Sequence, residues 1–475
     1  MIRLSAILLS TVIVVNLGYV DATAAESRLD NVQTADSLLS PEYERAKRVY
    51  TYLIAATYLR ATAKLFPAKK GYQQILREHE TSAFVHTQLA SLSMQMYDLP
   101  TAERSCRRAI EIDPEQPMPY FLLGQIMIWR YGSVKHKDKW RDIITTFRKV
   151  VELDPNHYGF DRNGRPFSAY YYLGEISERL EDYQSAANAF KELVRIMPYQ
   201  PVYYLRLASL YNQLGDRQQA ITAYERAIKI NRGLWRAHDA LWKLCVEEYD
   251  RLYQEDRLEE AAEKLRKAIH SYSELRRLAP PTNHKHDDDL LAQFRARLGS
   301  LYVVLQRENE ALEVLEKALE TSPDDPDTNY WLGIAHQAVG NLEQAEHYLR
   351  TTIAFSPERE EAYNALGYFF AEHGTNLDEA VSLIQKALKK SPTNGAYLDS
   401  LGWAYFKQGK LNDALKQLEK AVIYMPDSVE VQDHLGEVYL KKGRKKEAVA
   451  AWQKAIQLSP GNTAILEKLK KHGQE

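Results

Sequence analysis

Residues 395–428 read GAYLDSLGWAYFKQGKLNDALKQLEKAVIYMPDS, and residues 429–462 read VEVQDHLGEVYLKKGRKKEAVAAWQKAIQLSPGN. Aligned without gaps at a constant shift of 34 residues, the two stretches agree at several positions, and five places among them carry the repeat pattern. The matches are Leu401-Gly402 with Leu435-Gly436, Tyr405 with Tyr439, Ala414 with Ala448, Ala421 with Ala455, and Pro426 with Pro460. A tandem repeat of this length predicts structural units that stack on one another.

Each repeated residue type has a physical role in a helical hairpin. Glycine and alanine let two helices approach closely, and a larger side chain there would overpack the contact at a cost of about 1–3 kcal/mol. Leucine and the aromatic residue three to four positions later share one helical face and fill the core. Proline cannot continue a helix, so it ends the second helix of a unit. A single hairpin cannot bury its apolar face alone, which requires neighbouring units to stack.

The same pattern extends backwards through the chain and defines eleven units. They begin near residues 49, 83, 117, 167, 201, 235, 292, 326, 360, 395 and 429. The Leu-Gly pair recurs with its glycine at Gly124, Gly174, Gly299, Gly333 and Gly367. Among the units that depart from it, the unit near 49 has Ala55-Ala56 and the unit near 235 has Leu241-Trp242.

This pattern resembles the tetratricopeptide repeat (TPR) family, and the resemblance covers almost all of the chain after its first 48 residues. It implies an all-α fold, a right-handed α-solenoid of about eleven helix-turn-helix units.

Interruptions of the 34-residue step predict the domain organisation. The insert at 158–166 breaks the step once, and RRLAPPTNHKHDDD (276–289) is the clearest linker in the chain. We expect two stacked blocks with a linker between them and a polar-faced helix at the end of the solenoid. The predicted segments are a flexible lead-in with the start of the first helix at 26–48, about six units at 49–275, a linker at 276–291, five units at 292–462 and a capping helix at 463–475.

Residues 1–25 have the three-part pattern of a secretory signal peptide. Arg3 supplies the positive start, an apolar run follows from Leu4 to Val20, and Ala22-Thr23-Ala24 places small residues before a cleavage site. We expect cleavage near Ala24-Ala25 and export to the periplasm or cell envelope. An uncleaved membrane anchor is the alternative, because seventeen residues is about the minimum for a spanning helix. No later segment is apolar enough to predict an integral membrane span.

Composition and motifs exclude several classes of function. Lys and Arg total 62 against 64 Asp and Glu, so the chain lacks the basic footprint that nucleic-acid binding requires. Two cysteines exclude a disulfide scaffold and any CxxC-based metal site. No GxxxxGK[ST], GxGxxG, GxSxG or HExxH motif occurs. The sequence therefore predicts a protein without enzymatic activity and without a cofactor.

Two further features of the sequence are candidate chemical sites. His284, His286 and Asp287 to Asp289 form a metal-like cluster, but it lies in a proline-bounded segment without a second histidine pair, so we predict a solvated loop and no metal site. Cys106 and Cys245 fall on core positions of units that are not neighbours, so we predict that both are small buried side chains.

The resemblance to TPR proteins implies that first helices of successive units line a concave groove that holds a peptide or a partner helix. The groove-facing positions in the family are two, five, six, nine and twelve of each unit. In this chain they include Tyr171, Tyr172, Leu205, Arg206, Asn212, Tyr330, Trp331, Asn364, Tyr368, Asp399, Trp403, Phe406, Asp433, His434 and Glu437. Large rings flanked by short polar groups are typical of protein-binding hot spots.

Two functional hypotheses follow. The first is an exported scaffold or adaptor that binds other proteins in its groove during envelope assembly, secretion or export. The alternative is a TPR subunit of an exopolysaccharide or glycan export machine, because aromatic rings stack on sugars as readily as on peptides. Self-association remains open as a further kind of partner.

Overall fold

The computed structural model describes residues 41–160, 166–278 and 284–473. Within these ranges, 23 α-helices form eleven consecutive hairpins and one final single helix. The all-α repeat fold predicted from the sequence is confirmed. The predicted signal peptide and most of the predicted lead-in lie outside the described residues. No helix in the described part of the chain is long and apolar enough to cross a bilayer.

The first of two compact units comprises residues up to Ile196. Its elements are α1 (Pro41–Ala61), α2 (Leu65–Glu78), α3 (Ala83–Gln95), α4 (Leu99–Ile112), α5 (Pro117–Tyr131), a 3-10 helix (Val134–Lys139), α6 (Trp140–Leu153), β1 (Gly159–Phe160), β2 (Pro166–Phe167), α7 (Ala169–Arg179) and α8 (Tyr183–Ile196). The two short strands pair antiparallel, with Gly159 opposite Phe167. The described ends of the insert predicted at 158–166 thus form this small ribbon.

The second compact unit begins at Met197. Its elements are α9 (Pro201–Gln213), α10 (Arg217–Ile230), α11 (Trp235–Gln254), α12 (Leu258–Leu278), α13 (His284–Val304), α14 (Glu308–Leu319), α15 (Pro326–Ala338), α16 (Leu342–Phe355), α17 (Glu360–His373), α18 (Leu377–Lys390), α19 (Gly395–Lys407), α20 (Leu411–Tyr424), α21 (Val429–Lys441), α22 (Lys445–Leu458) and α23 (Thr463–His472). The helix predicted to cap the repeat array corresponds to α23.

The boundary between compact units differs from the predicted one. The sequence predicted a linker at 276–291, but α12 continues to Leu278 and α13 already begins at His284. The two helices pack together here, since the rings of Tyr272 and Phe294 meet at 6.4 Å. α11 and α12 have 20 and 21 residues, whereas α9 and α10 of the preceding hairpin have 13 and 14, so each helix is longer by seven residues. Seven residues make about two helical turns, so the added length keeps the apolar face in register.

Glycine sets the distance between the two helices of seven hairpins. A Cβ atom added at Gly124, Gly174, Gly299, Gly333, Gly367, Gly402 or Gly436 would lie between 2.4 and 2.7 Å from a large side chain of the second helix. At Gly436, for example, that side chain is the fully buried Trp452. In the first hairpin, which lacks the Leu-Gly pair, Gly71 of α2 approaches Ala56 of α1 instead. The close crossing inferred from the repeat is therefore present in the structure.

We predict that Gly367→Ala lowers the midpoint of urea unfolding, with a loss of about 1–3 kcal/mol from overpacking. The new Cβ would lie 2.5 Å from Ile384 Cγ1 and 2.9 Å from the backbone oxygen of Ala380, which cannot rotate away. Gly461→Ala is the matched control, because nothing lies within 4 Å of its Cβ position. Equal midpoints for the two variants would contradict the role given to the glycine.

Candidate partner-binding surface

The first helices of the last five units lie side by side in the second compact unit. Contacts join α13 to α15, α15 to α17, α17 to α19 and α19 to α21. We call the surface formed by these five helices the first-helix face. Residues three or four positions apart on each helix share one side. The predicted groove residues between 330 and 437 all belong to these helices.

A buried acid and a buried histidine connect α19 to α21. His434 Nδ1 lies 3.0 Å from both Oδ1 and Oδ2 of Asp399, and the two side chains are 7% and 5% exposed. Burial alone would lower the pKa of His434. The hydrogen bond to Asp399 and the negative charges of Asp399, Glu430 and Asp433 outweigh it, so the pKa of His434 is raised.

Trp403 is the centre of an aromatic stack on the first-helix face. Its ring lies over His434 with centroids 4.1 Å apart and over Phe406 at 4.9 Å. Its indole Nε1 donates a hydrogen bond to Glu372 at 2.9 Å, and the Lys407 ammonium lies 4.9 Å from the ring centroid. Trp403 and Phe406 each remain partly exposed. The rings therefore pack against neighbours and still offer surface to a partner.

Tyr368 connects two first helices that are not neighbours. Its hydroxyl on α17 donates a hydrogen bond to Glu430 Oε1 on α21 at 2.8 Å, across the intervening helix α19. Burial and the charge of Glu430 raise the pKa of Tyr368 well above its usual value. One turn earlier on α17, the Oδ1 atom of Asn364 is buried and accepts no hydrogen bond. The predicted residues Asn364, Tyr368, Asp399 and Trp403 are thus on the same face.

Two other predicted groove residues hold the last helix in place. The Lys468 ammonium on α23 lies 2.7 Å from Asp433 Oδ1 and 2.7 Å from Glu437 Oε1. The Trp452 indole also donates to Asp433, at 2.9 Å. These carboxylates raise the pKa of Lys468 against the opposing effect of burial. Asp433 and Glu437 therefore bind the capping helix and share the single positive charge of Lys468.

The remaining predicted residues mainly serve packing. In the second compact unit, the Arg359 guanidinium lies 4.4 Å from the Tyr330 ring centroid, and Trp331 packs against the core between α13 and α15. Asn212 is exposed near the end of α9, while Leu205 and Arg206 are partly buried on the same helix. In the first compact unit, Tyr172 stacks on Phe147 at 4.9 Å and Tyr171 meets Phe190 edge to face.

Sequence reasoning missed four charged residues of this surface, which are Glu372, Lys407, Glu430 and Lys468. Glu430 occupies position two of the last unit, so the family's groove rule contained the signal. The others lie at helix ends or on α23, outside the positions of that rule.

The acidic run in the predicted linker has partners within the protein. Asp287 accepts a hydrogen bond from the Tyr272 hydroxyl at 2.7 Å, Asp288 pairs with Arg276 at 2.5 Å, and Asp289 accepts from Ser322 at 3.5 Å. The solvated loop predicted for these three residues is therefore wrong. Negative side chains are favourable in the first turns of a helix, where α13 places them.

Both cysteines are buried core residues, as predicted. Cys106 lies on α4 and Cys245 on α11, in different compact units. Burial raises the pKa of each thiol to about 12. The thiolate is the reactive form, so neither side chain is suited to nucleophilic chemistry.

We expect the native chain to react with DTNB far more slowly than glutathione at about pH 8, because burial suppresses the thiolate. Unfolding in guanidinium chloride should release both thiols to rapid reaction. Absorbance of the released thionitrobenzoate measures each rate. Rapid native labelling of one thiol would show that its hairpin is open in solution.

Comparisons with known proteins identify the repeat. Tetratricopeptide repeat models match residues 157–201, 201–233, 306–367 and 400–463. A TPR repeat-containing protein of Pseudomonas aeruginosa is 37% identical over 105 residues, which cover 22% of this chain and 18% of that protein. A TPR repeat-containing protein of Methanocaldococcus jannaschii is 26% identical over 233 residues, covering 45% of this chain and 39% of that protein. The chain thus matches less than half the length of each relative.

Solved structures give similar partial matches. A thermophilic TPR protein of Thermus thermophilus aligns with 39% of this chain and 100% of its own, at 26% identity and a TM-score of 0.36. PilW, described as a widely conserved type IV pilus biogenesis factor, aligns with 38% of this chain and 86% of its own, at 19% identity and a TM-score of 0.36.

Proposed function

The chain is a tetratricopeptide repeat protein, and we propose that it is a non-enzymatic scaffold of the bacterial cell envelope that binds a partner protein on its first-helix face. The envelope assignment rests on the signal-peptide pattern of residues 1–25. The partner-binding assignment rests on the partly exposed stack of Trp403 and Phe406. Rigid rings of this kind contribute much of the energy at protein interfaces.

The charges around the stack define the chemistry of the partner. Around the stack, carboxylates outnumber ammonium groups, with Glu372, Asp399, Glu430, Asp433 and Glu437 against Lys407 and Lys468 of α23. Lys468 and His434 already contact three of the five acids. Glu430 is exposed and is bonded to a hydroxyl. We therefore propose a peptide or helix that carries an apolar anchor next to basic side chains.

Site-specific photo-crosslinking tests this proposal. A benzophenone amino acid at Phe406, in the chain from residue 26, should crosslink to an envelope protein through the aromatic stack. Tyr424 is the matched control, because it is an aromatic residue 50% exposed on the second helix α20. Mass spectrometry should locate the crosslink in a basic segment, and capture should fall as salt screens the carboxylates.

Three other outcomes would contradict the proposal or favour a different kind of partner. Equal capture from positions 406 and 424 would contradict the first-helix face as the site. Crosslinks from Phe406 to the same chain alone would indicate self-association. A saturable change of tryptophan emission on titration with oligosaccharides, without a protein crosslink, would favour the glycan alternative.

A further inference from the structure

We propose that Asp399, Glu430 and His434 form a binding site for one divalent transition-metal ion of the zinc type. One ligand atom from each residue lies within 4.8 Å of the other two. The sequence predicted no metal site, and these three residues come from two repeats and match no metal-binding motif. The site differs from the aromatic stack in its chemistry, and metal binding can be tested without a partner protein.

The helices hold these ligands in a suitable arrangement. Glu430 and His434 are four residues apart on α21, so they project from one side of the helix about one turn apart. Asp399 comes from the neighbouring first helix α19. Three protein ligands with one position left for water is the usual plan of an open zinc site. One imidazole nitrogen and two carboxylate oxygens suit zinc and the neighbouring first-row ions.

The observed distances are close to those of a coordination sphere. Metal–ligand bonds of about 2.0–2.2 Å place neighbouring ligand atoms roughly 3.0–3.5 Å apart. His434 Nδ1 is already 3.0 Å from both carboxylate oxygens of Asp399. A metal ion would take the place of the proton between these two groups and use the same lone pairs. A side-chain rotation of Glu430, which is exposed, completes the set.

Surrounding residues orient the ligands. The Tyr368 hydroxyl donates to Glu430 Oε1 at 2.8 Å, which leaves the second carboxylate oxygen for a metal ion. Trp403 stacks on the His434 ring with an interplanar angle of 15° and fixes its plane. Contacts of this kind strengthen metal sites, and removing them typically costs about 10–100-fold in affinity. The exposed side of Glu430 provides the entry path for the ion.

Calorimetric titration of the untagged, EDTA-treated chain with zinc chloride tests the proposal. We expect one zinc ion per chain and a change in Trp403 emission on binding, since its ring lies 4.1 Å from His434. Cobalt should bind at the same site and give visible absorption bands. His434→Gln, Asp399→Asn and Glu430→Gln should each weaken binding by about tenfold or more, as loss of a ligand does.

Two matched controls separate ligation from general charge and from general histidine binding. Asp433→Asn removes an acid at the repeat position of Asp399, and His336→Gln removes another buried histidine, on α15. His336→Gln should bind zinc within about threefold of the unmodified chain, and Asp433→Asn, which changes only a charge beside His434, should weaken binding much less than the loss of a ligand does. Glu430→Gln alters an exposed side chain, so it remains informative even if a buried variant fails to fold.

The proposal is overturned if the chain shows no saturable binding below about 1 mM zinc, which corresponds to about −4 kcal/mol. It is also overturned if Glu430→Gln binds zinc like the unmodified chain, or if the two controls weaken binding as much as the ligand variants. The titration uses the protein alone, so failure of the metal site leaves the proposed partner binding untouched, and the reverse also holds.

Discussion

The close crossing of two helices within each hairpin is the constraint on which the rest of this structure depends. Seven glycines face large side chains of the second helix at distances that leave no room for a Cβ atom. The second helix thereby covers one side of the first, and the next first helix covers another. Only one narrow strip of each first helix is left uncovered by its neighbours. The functional residues of the repeat have to share that strip with the contacts between units.

This sharing explains why few side chains on the first-helix face are available to a partner. Trp403 binds Glu372 through its indole nitrogen, stacks on His434 and still shows part of its ring. Asp433 and Glu437 are held by Lys468 of the capping helix. Terminal repeats need such a cap, because the last apolar face has no following unit to cover it. Stacking and recognition therefore use the same residues here.

The sequence predicted the features that are local in the chain. Eleven hairpins, the roles of Gly402 and Gly436, and the burial of both cysteines all follow from the 34-residue period. The partners of polar side chains did not follow, because they depend on contacts between units. Tyr368 and Glu430 are 62 residues apart and two units distant. The solvated loop predicted for the acids at 287–289 was wrong because the repeat period does not show which helix packs beside them.

Only some of the carboxylates on the first-helix face lack a charged partner. Asp399 faces His434, and Asp433 with Glu437 faces Lys468. Among the described residues, Glu430 is bonded to the Tyr368 hydroxyl and Glu372 to the Trp403 indole, and neither carboxylate pairs with a lysine or an arginine. The carboxylates without a lysine or arginine partner therefore include one on α17 and one on α21, on either side of α19. A metal ion or a basic side chain of a partner would be drawn to the same place, so the two should compete for Glu430. Occupancy of the metal site would then weaken binding of the basic part of a partner. The contact between the partner's apolar anchor and Trp403 would be unchanged.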